Sequence, residues 1–167
     1  MWIDRVVELV PRERLVAIKH ISLAEEHLHD HFPAHGDTPA LPVMPGSLII
    51  EGCAQSAGIL VGHAEQFREK VILAKIAKAT LGGDAMPGDT LRYTATASQI
   101  SERGASTHIA IERLDPAEPD AGYGSFGEIE MMFSHLDQNM AGREFPEHNF
   151  VFGEGFKTLL RSSGIDF

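Results

Sequence analysis

The segment from Ser47 to about Glu65 constrains the fold more than any other part of the chain. Leu48, Ile49, Ile50, Cys53, Ala54, Ala57, Ile59, Leu60 and Val61 cover nearly every face of a helix drawn through it. A helix that is apolar almost all round belongs inside the molecule, since no single face can be turned to water. Gly46-Ser47 offers an N-cap, and the small residues Gly52, Ala54, Ala57 and Gly58 would let a sheet approach closely. Glu51, Gln55 and Ser56 interrupt the apolar run, which falls short of the ~20 apolar residues of a membrane helix.

The flanking segments have strand character. Asp4 to Val10 and Leu15 to Ser22 are rich in β-branched residues and meet at the short polar connection Pro11-Arg12-Glu13-Arg14, as a hairpin does. After the helix, strands are expected at Val71–Leu81, Thr90–Ile100, Ala105–Leu114 and Tyr123–Leu136, separated by turn-rich segments such as Met86-Pro87-Gly88-Asp89. Leu91, Tyr93, Ala95 and Ala97 alternate with Arg92, Thr94, Thr96 and Ser98, the pattern of a half-buried strand. Residues 23–45, with four prolines, Gly36 and four histidines, read as a shaped irregular loop. Two strands, one buried helix and four more strands are satisfied by one antiparallel sheet wrapped round a central helix, an α+β domain over residues 1–136. Residues 137–167 read as a Phe-rich extension (Phe145, Phe150, Phe152, Phe156, Phe167) with a short helix at Glu154–Ser163, packed on the domain or on a neighbouring subunit.

Composition removes several functional classes. A net charge of −10 is opposed to nucleic-acid binding, which needs a basic surface. The lone Cys53 excludes an intrachain disulfide and is expected to pack as a small hydrophobe. Met1-Trp2-Ile3-Asp4-Arg5 has no signal-peptide character, so a cytoplasmic location is expected. His27, His29 and His31 alternate and would share one side of a strand, which raises a metal site; Asp30 and Asp37 are poorly spaced to complete it. His20, His63, His108 and His135 fall in regular elements and are expected to be structural, and Trp2 to cap the sheet end or a dimer contact.

Three features of residues 29–55 carry chemical interest. His31 stands in a proline-rich loop, where a rigid backbone can hold a side chain toward a ligand. Gly46, ahead of the helix, contributes an N–H to the unpaired donors of a helix start, where an oxyanion can bind. Glu51 is a carboxylate about one turn into an apolar helix, a placement that needs a partner or a task. Each also has an ordinary reading: a surface histidine, an unremarkable glycine and a carboxylate favoured by the helix dipole.

The string His31-Phe32-Pro33 … Pro42-Val43-Met44-Pro45-Gly46-Ser47-Leu48-Ile49-Ile50-Glu51-Gly52-Cys53-Ala54-Gln55 closely resembles the signature of the bacterial 3-hydroxyacyl-(acyl-carrier-protein) dehydratases. Those are the hot-dog enzymes of type II fatty-acid synthesis. Asp4-Arg5-Val6, Leu15 to Lys19, Met86 to Asp89 and Gly127 to Phe133 resemble its other strands, so that residues 2–136 are covered. The resemblance implies a hot-dog homodimer, or a trimer of dimers, with sites completed by both subunits and no cofactor or metal. It implies His31 as catalytic base, Glu51 from the partner subunit as acid, and Gly46 as oxyanion donor. Gln55 would orient Glu51, and Phe32, Pro33 and Pro45 would shape the substrate site. The substrate implied is a (3R)-3-hydroxyacyl thioester of acyl carrier protein or CoA. Two rival readings share the fold: an acyl-thioester hydrolase, and a non-catalytic acyl-binding or partner subunit. Three departures from the family are visible. Ala34–Leu41 is longer than the usual short span, the segment ahead of Asp4-Arg5 is absent, and the basic run after the helix is reduced to Lys75 and Lys78. Arg12, Arg14 and Lys19 would be the alternative basic patch.

Overall fold

The computed structural model describes residues 1–136 and 145–165. Six strands form one antiparallel sheet: β1 (Arg5–Val10), β2 (Arg14–His20), β3 (Val71–Leu81), β4 (Thr90–Ser101), β5 (Gly104–Leu114) and β6 (Gly124–His135). The order across the sheet is β1-β2-β4-β5-β6-β3. The described residues also include the α-helices α1 (Glu26–His29), α2 (Gly46–Ala64) and α3 (Glu154–Ser162). The sheet wraps round α2, the hot-dog arrangement expected from the sequence. The loop over 23–45 is less irregular than expected, because α1 forms within it around the buried Leu28. Phe167 and residues 137–144 lie outside the described residues.

The inner faces of the strands supply the core. Leu15 and Ala17 of β2, Leu91, Tyr93 and Ala95 of β4, Ile109 and Ile111 of β5, and Ile129 and Met131 of β6 are all buried against α2. Buried and part-exposed residues alternate along β4 and β5, as a sheet with one wet face requires. The small residues of α2 are needed where the sheet approaches. A Cβ on Gly52 would sit 2.8 Å from the Trp2 carbonyl oxygen and 3.0 Å from the Tyr93 ring, so no side chain fits there. At Gly62 a Cβ would lie 2.4 Å from the Phe152 ring.

The two edges of the sheet are treated differently. At β1, α3 packs alongside, and the Val6 N–H donates to Ser163 Oγ at 3.0 Å. An unpaired strand edge invites pairing with another chain, and this contact blunts it. At the other end β3 is the edge strand and no described strand pairs with its outer side, where Leu73 to Thr80 are all exposed.

Phe152 ties the C-terminal residues to the core. It is buried and sits edge-to-face with Phe67 at 4.9 Å and Phe156 at 5.6 Å. Phe152→Ala should therefore destabilise the domain by about 3–5 kcal/mol, the range for truncating a buried aromatic. Urea denaturation followed by circular dichroism would measure this, and a midpoint equal to that of the wild type would show that the contact contributes nothing.

Candidate active site

His31 is held by the turn that precedes it. Leu28, anchored in the core, offers its carbonyl to His31 Nδ1 at 2.8 Å. A carbonyl oxygen only accepts, so Nδ1 carries a proton, and in the neutral ring the lone pair falls on Nε2. The ring is half-buried. A neutral imidazole with a fixed tautomer and a free Nε2 is a base ready for use. His27 and His29 lie on the helical turn of α1, not on a strand, so the alternation that suggested a metal site does not put them on one face. Among the described residues no group of three or more His, Cys, Asp or Glu is placed to hold a metal ion.

Phe32, Pro33 and the inserted residues 34–41 form an exposed hairpin. Phe32 pairs with Leu41 and His35 with Thr38, and Gly36 turns the chain with φ +56°. The chain then re-enters the core at Met44, whose N–H donates to the Ala85 carbonyl at 2.9 Å. The extra length is thus absorbed as a finger projecting from the loop, and Met44 delivers the chain to α2.

Gly46 is the first residue of α2, not the residue ahead of it, and Pro45 is the N-cap. Leu48 and Ile49 both donate to the Pro45 carbonyl, at 2.9 and 3.3 Å. Pro45 has no side-chain acceptor to offer, and no cap hydrogen bond forms. Among the described residues the Gly46 and Ser47 N–H groups find no backbone acceptor. They stand at the positive end of a 19-residue helix, where an oxyanion is stabilised. A side chain at Gly46 would press on Leu81, its Cβ lying 3.0 Å from that residue's Cδ1.

Glu51 departs from the sequence expectation of burial: its side chain is exposed. Ser47, Glu51, Gln55 and Gly58 line up at helical spacing as the one stripe of α2 that the sheet of this chain leaves at least partly open. Gln55 is bound on both sides. Its Oε1 accepts the Trp2 N–H at 2.8 Å, and its Nε2 donates to Glu51 Oε1 at 3.0 Å. No hydrogen bond joins His31 to Glu51 within the chain.

A group that sequence reasoning missed lies beside this stripe. Lys19 is buried, yet its Nζ meets Asp4 Oδ1 at 3.1 Å and Glu25 Oε1 at 2.6 Å. Glu25 Oε2 in turn lies 3.4 Å from His27 Nδ1, and the His27 ring meets Trp2 edge-on at 5.1 Å. The partners come from β2, α1 and the N-terminal residues, so nothing in a linear pattern announces them. Trp2 therefore packs against this cluster. The proposed basic patch also disappears, for Arg12 pairs with Glu65, Arg14 with Glu8 and Lys19 with its two carboxylates. Lys78 is paired with Glu128, whose carboxyl that hydrogen bond holds below the usual carboxylate range.

His20 shares a hydrogen bond with Thr90, and buried His135 one with the Glu102 carbonyl, in keeping with structural roles. Cys53 is fully buried against the sheet, and burial pushes its thiol well up, away from the reactive thiolate. It should resist a disulfide-exchange reagent such as dithionitrobenzoate in the native protein and react stoichiometrically in denaturant. Rapid labelling under native conditions would contradict that placement.

Residues 1–115 match the family model described as a FabA-like domain. A 3-hydroxyacyl-[acyl-carrier-protein] dehydratase FabZ of Geobacter metallireducens is 40% identical over 101 residues, 59% of this chain and 63% of that relative. The FabZ of Levilactobacillus brevis is 40% identical over 106 residues, covering 62% of this chain and 68% of the relative. The alignment with the Geobacter protein thus spans less than two thirds of its length. Among solved structures, a thioesterase family protein from Silicibacter pomeroyi superposes with a TM-score of 0.59 at 9% identity, covering 78% of this chain and 82% of its own. An acyl-CoA hydrolase mutant from Staphylococcus aureus superposes with a TM-score of 0.57 at 15% identity, covering 96% and 92%. At such identities the two structures share the fold.

Proposed function

The chain belongs to the FabA-like domain family, and on that premise we propose that it dehydrates a (3R)-3-hydroxyacyl thioester of acyl carrier protein or CoA to the trans-2-enoyl thioester, in fatty-acid or related lipid synthesis. The observation that carries the reading is the Leu28–His31 hydrogen bond, which leaves Nε2 as the accepting nitrogen. In the proposed reaction Nε2 removes the proton alpha to the thioester carbonyl. Negative charge then develops on the carbonyl oxygen, where the free Gly46 N–H at the start of α2 would stabilise it. The C3–oxygen bond breaks as Glu51 of the partner subunit gives its proton to the departing hydroxyl, which leaves as water. Gln55 donates to Oε1 of that carboxyl, so the transferable proton belongs on Oε2. The imidazolium and carboxylate left behind exchange a proton, directly or through solvent, and both groups are reset. No electron acceptor or metal enters the balance.

A site shared between subunits is supported by two features. The open stripe of α2 carries Glu51 and Gln55 outward. The uncovered edge of β3, with Leu73 and Ile76 and the neighbouring Met132 exposed, is suited to pairing with a second copy. Phe32, Pro33 and Pro45 are exposed in the single chain and would meet substrate at the mouth of such a joint site. No helix among the described residues is long and apolar enough to cross a membrane, and a carrier-bound substrate fits a cytoplasmic enzyme.

Incubation with 3-hydroxyacyl thioesters should produce the ultraviolet absorbance of the conjugated enoyl thioester. His31→Ala and Glu51→Gln should each lower kcat by roughly a hundredfold or more, the usual contribution of a positioned acid or base. Release of free thiol instead would identify a hydrolase, and no turnover of any thioester would identify a binding protein. Refolding His31→Ala together with Glu51→Gln as a mixture should restore about a quarter of wild-type activity, because random pairing gives half mixed dimers with one intact site of two. Absence of any rescue would place both residues in one subunit's site.

A further inference from the structure

Glu51 is exposed, and an exposed glutamate is not held in one rotamer by packing. In this chain Gln55 holds it, and Gln55 can do so in only one orientation. Its amide could in principle turn either end toward the carboxylate. The Trp2 N–H settles the matter, because a backbone N–H only donates and must face Oε1, which leaves Nε2 directed at Glu51.

Trp2 is in turn fixed from three sides. Its carbonyl oxygen rests on the helix at Gly52, where there is no room for a Cβ. Its ring stands at 78° to that of His27. The residues that follow are buried or bonded: Ile3 is 2% exposed, the Asp4 N–H donates to the Ile18 carbonyl at 2.8 Å, and the Asp4 carboxylate receives Lys19 and the His20 N–H. The second carboxylate on Lys19 belongs to Glu25, which stands immediately ahead of α1, and the carbonyl of Leu28 in α1 holds His31. The supports of the acid and of the base therefore meet in one cluster at the N-terminal residues.

We propose that the main-chain N–H of Trp2 is a positioning group for Glu51, acting through Gln55. This rests on the dehydratase reading, in which Glu51 protonates the leaving hydroxyl. Losing the Trp2 N–H frees the Gln55 amide to turn, and Glu51 then spends less time in its working geometry. Because that geometry matters in the transition state more than in substrate binding, the loss falls on kcat and leaves KM nearly unchanged.

The test compares Trp2→Pro, which removes the N–H, with Trp2→Ala, which removes the ring and keeps it. Trp2→Pro should lower kcat by about tenfold, the scale of a modest misplacement of a reacting group, and Trp2→Ala should retain clearly more. Gln55→Met makes neither hydrogen bond, and the Trp2→Pro/Gln55→Met double variant should be no slower than Gln55→Met alone. Equal losses in Trp2→Pro and Trp2→Ala, or additive losses in the double variant, would overturn the proposal. A readout without substrate keeps it separate from the dehydratase reading. Hydrogen exchange of the Gln55 side-chain amide, followed by nitrogen-15 NMR, should be slow in the wild type and in Trp2→Ala and fast in Trp2→Pro. If the wild type turned over no thioester, the reaction would be wrong, and the amide exchange would still decide whether Trp2 holds Gln55. Unchanged exchange in Trp2→Pro would refute that, and an unfolded Trp2→Pro leaves the decision to the Gln55→Met comparison with Trp2→Ala, whose equal kcat losses would refute it.

Discussion

Helix α2 is too apolar to lie on any surface, and the sheet has to curl round it to keep it dry. Leu15, Leu91, Tyr93, Ile109 and Ile129 reach it from four strands, and Gly52 lets the N-terminal residues and Tyr93 close in to a distance no side chain would permit. Burial of this kind is the dominant favourable term in folding, and it holds the helix axis firmly in place. The consequence for chemistry is positional. The N-terminus of the same helix presents the free N–H of Gly46, and its one open stripe presents Glu51 and Gln55. A rigid buried element thereby carries the reactive groups of the candidate site, and only His31 comes from a loop.

That loop is itself anchored by a small piece of regular structure. One turn of helix, pinned by Leu28, sets the tautomer of His31 through a main-chain carbonyl. The inserted residues beyond Phe32 then leave the site as a hairpin closed on itself at Phe32 and Leu41, so the added length need not displace either His31 or Met44. An insertion that pairs with itself and stays in solvent perturbs little behind it.

Electrostatics follow a similar economy. With a net charge of −10 the chain has few cations, and Arg12, Arg14 and Lys19 are all committed to neighbouring acids. Lys19 is the extreme case, a buried ammonium satisfied by Asp4 and Glu25. A buried ion pair adds less to stability than its geometry suggests, but removing one partner is strongly destabilising. Its effect here is to hold three segments in register: the N-terminal residues, β2 and the start of α1. Lys78 of β3 is paired as well, with Glu128.

Periodicity was enough to lay out this chain. The alternation at Leu91 to Ser98 and the all-round apolar character of Ser47 to Glu65 each have only one economical burial, so the strands, the helix and the wrapped-sheet architecture were legible in advance. The candidate motif around His31, Gly46 and Glu51 was picked out by its resemblance to the dehydratase signature and not by periodicity, which left each residue an ordinary reading. Tertiary structure alone decided the rest. It turned Glu51 outward, because the sheet covers every face of α2 except one. It neutralised the expected basic patch and joined Trp2 to Gln55 across 53 residues. Contacts of that separation depend on how the sheet curls and which small residues permit close approach, and no pattern along the chain encodes them. The sequence thus determined which groups could act, and the packing around α2 determined which neighbours hold them in place.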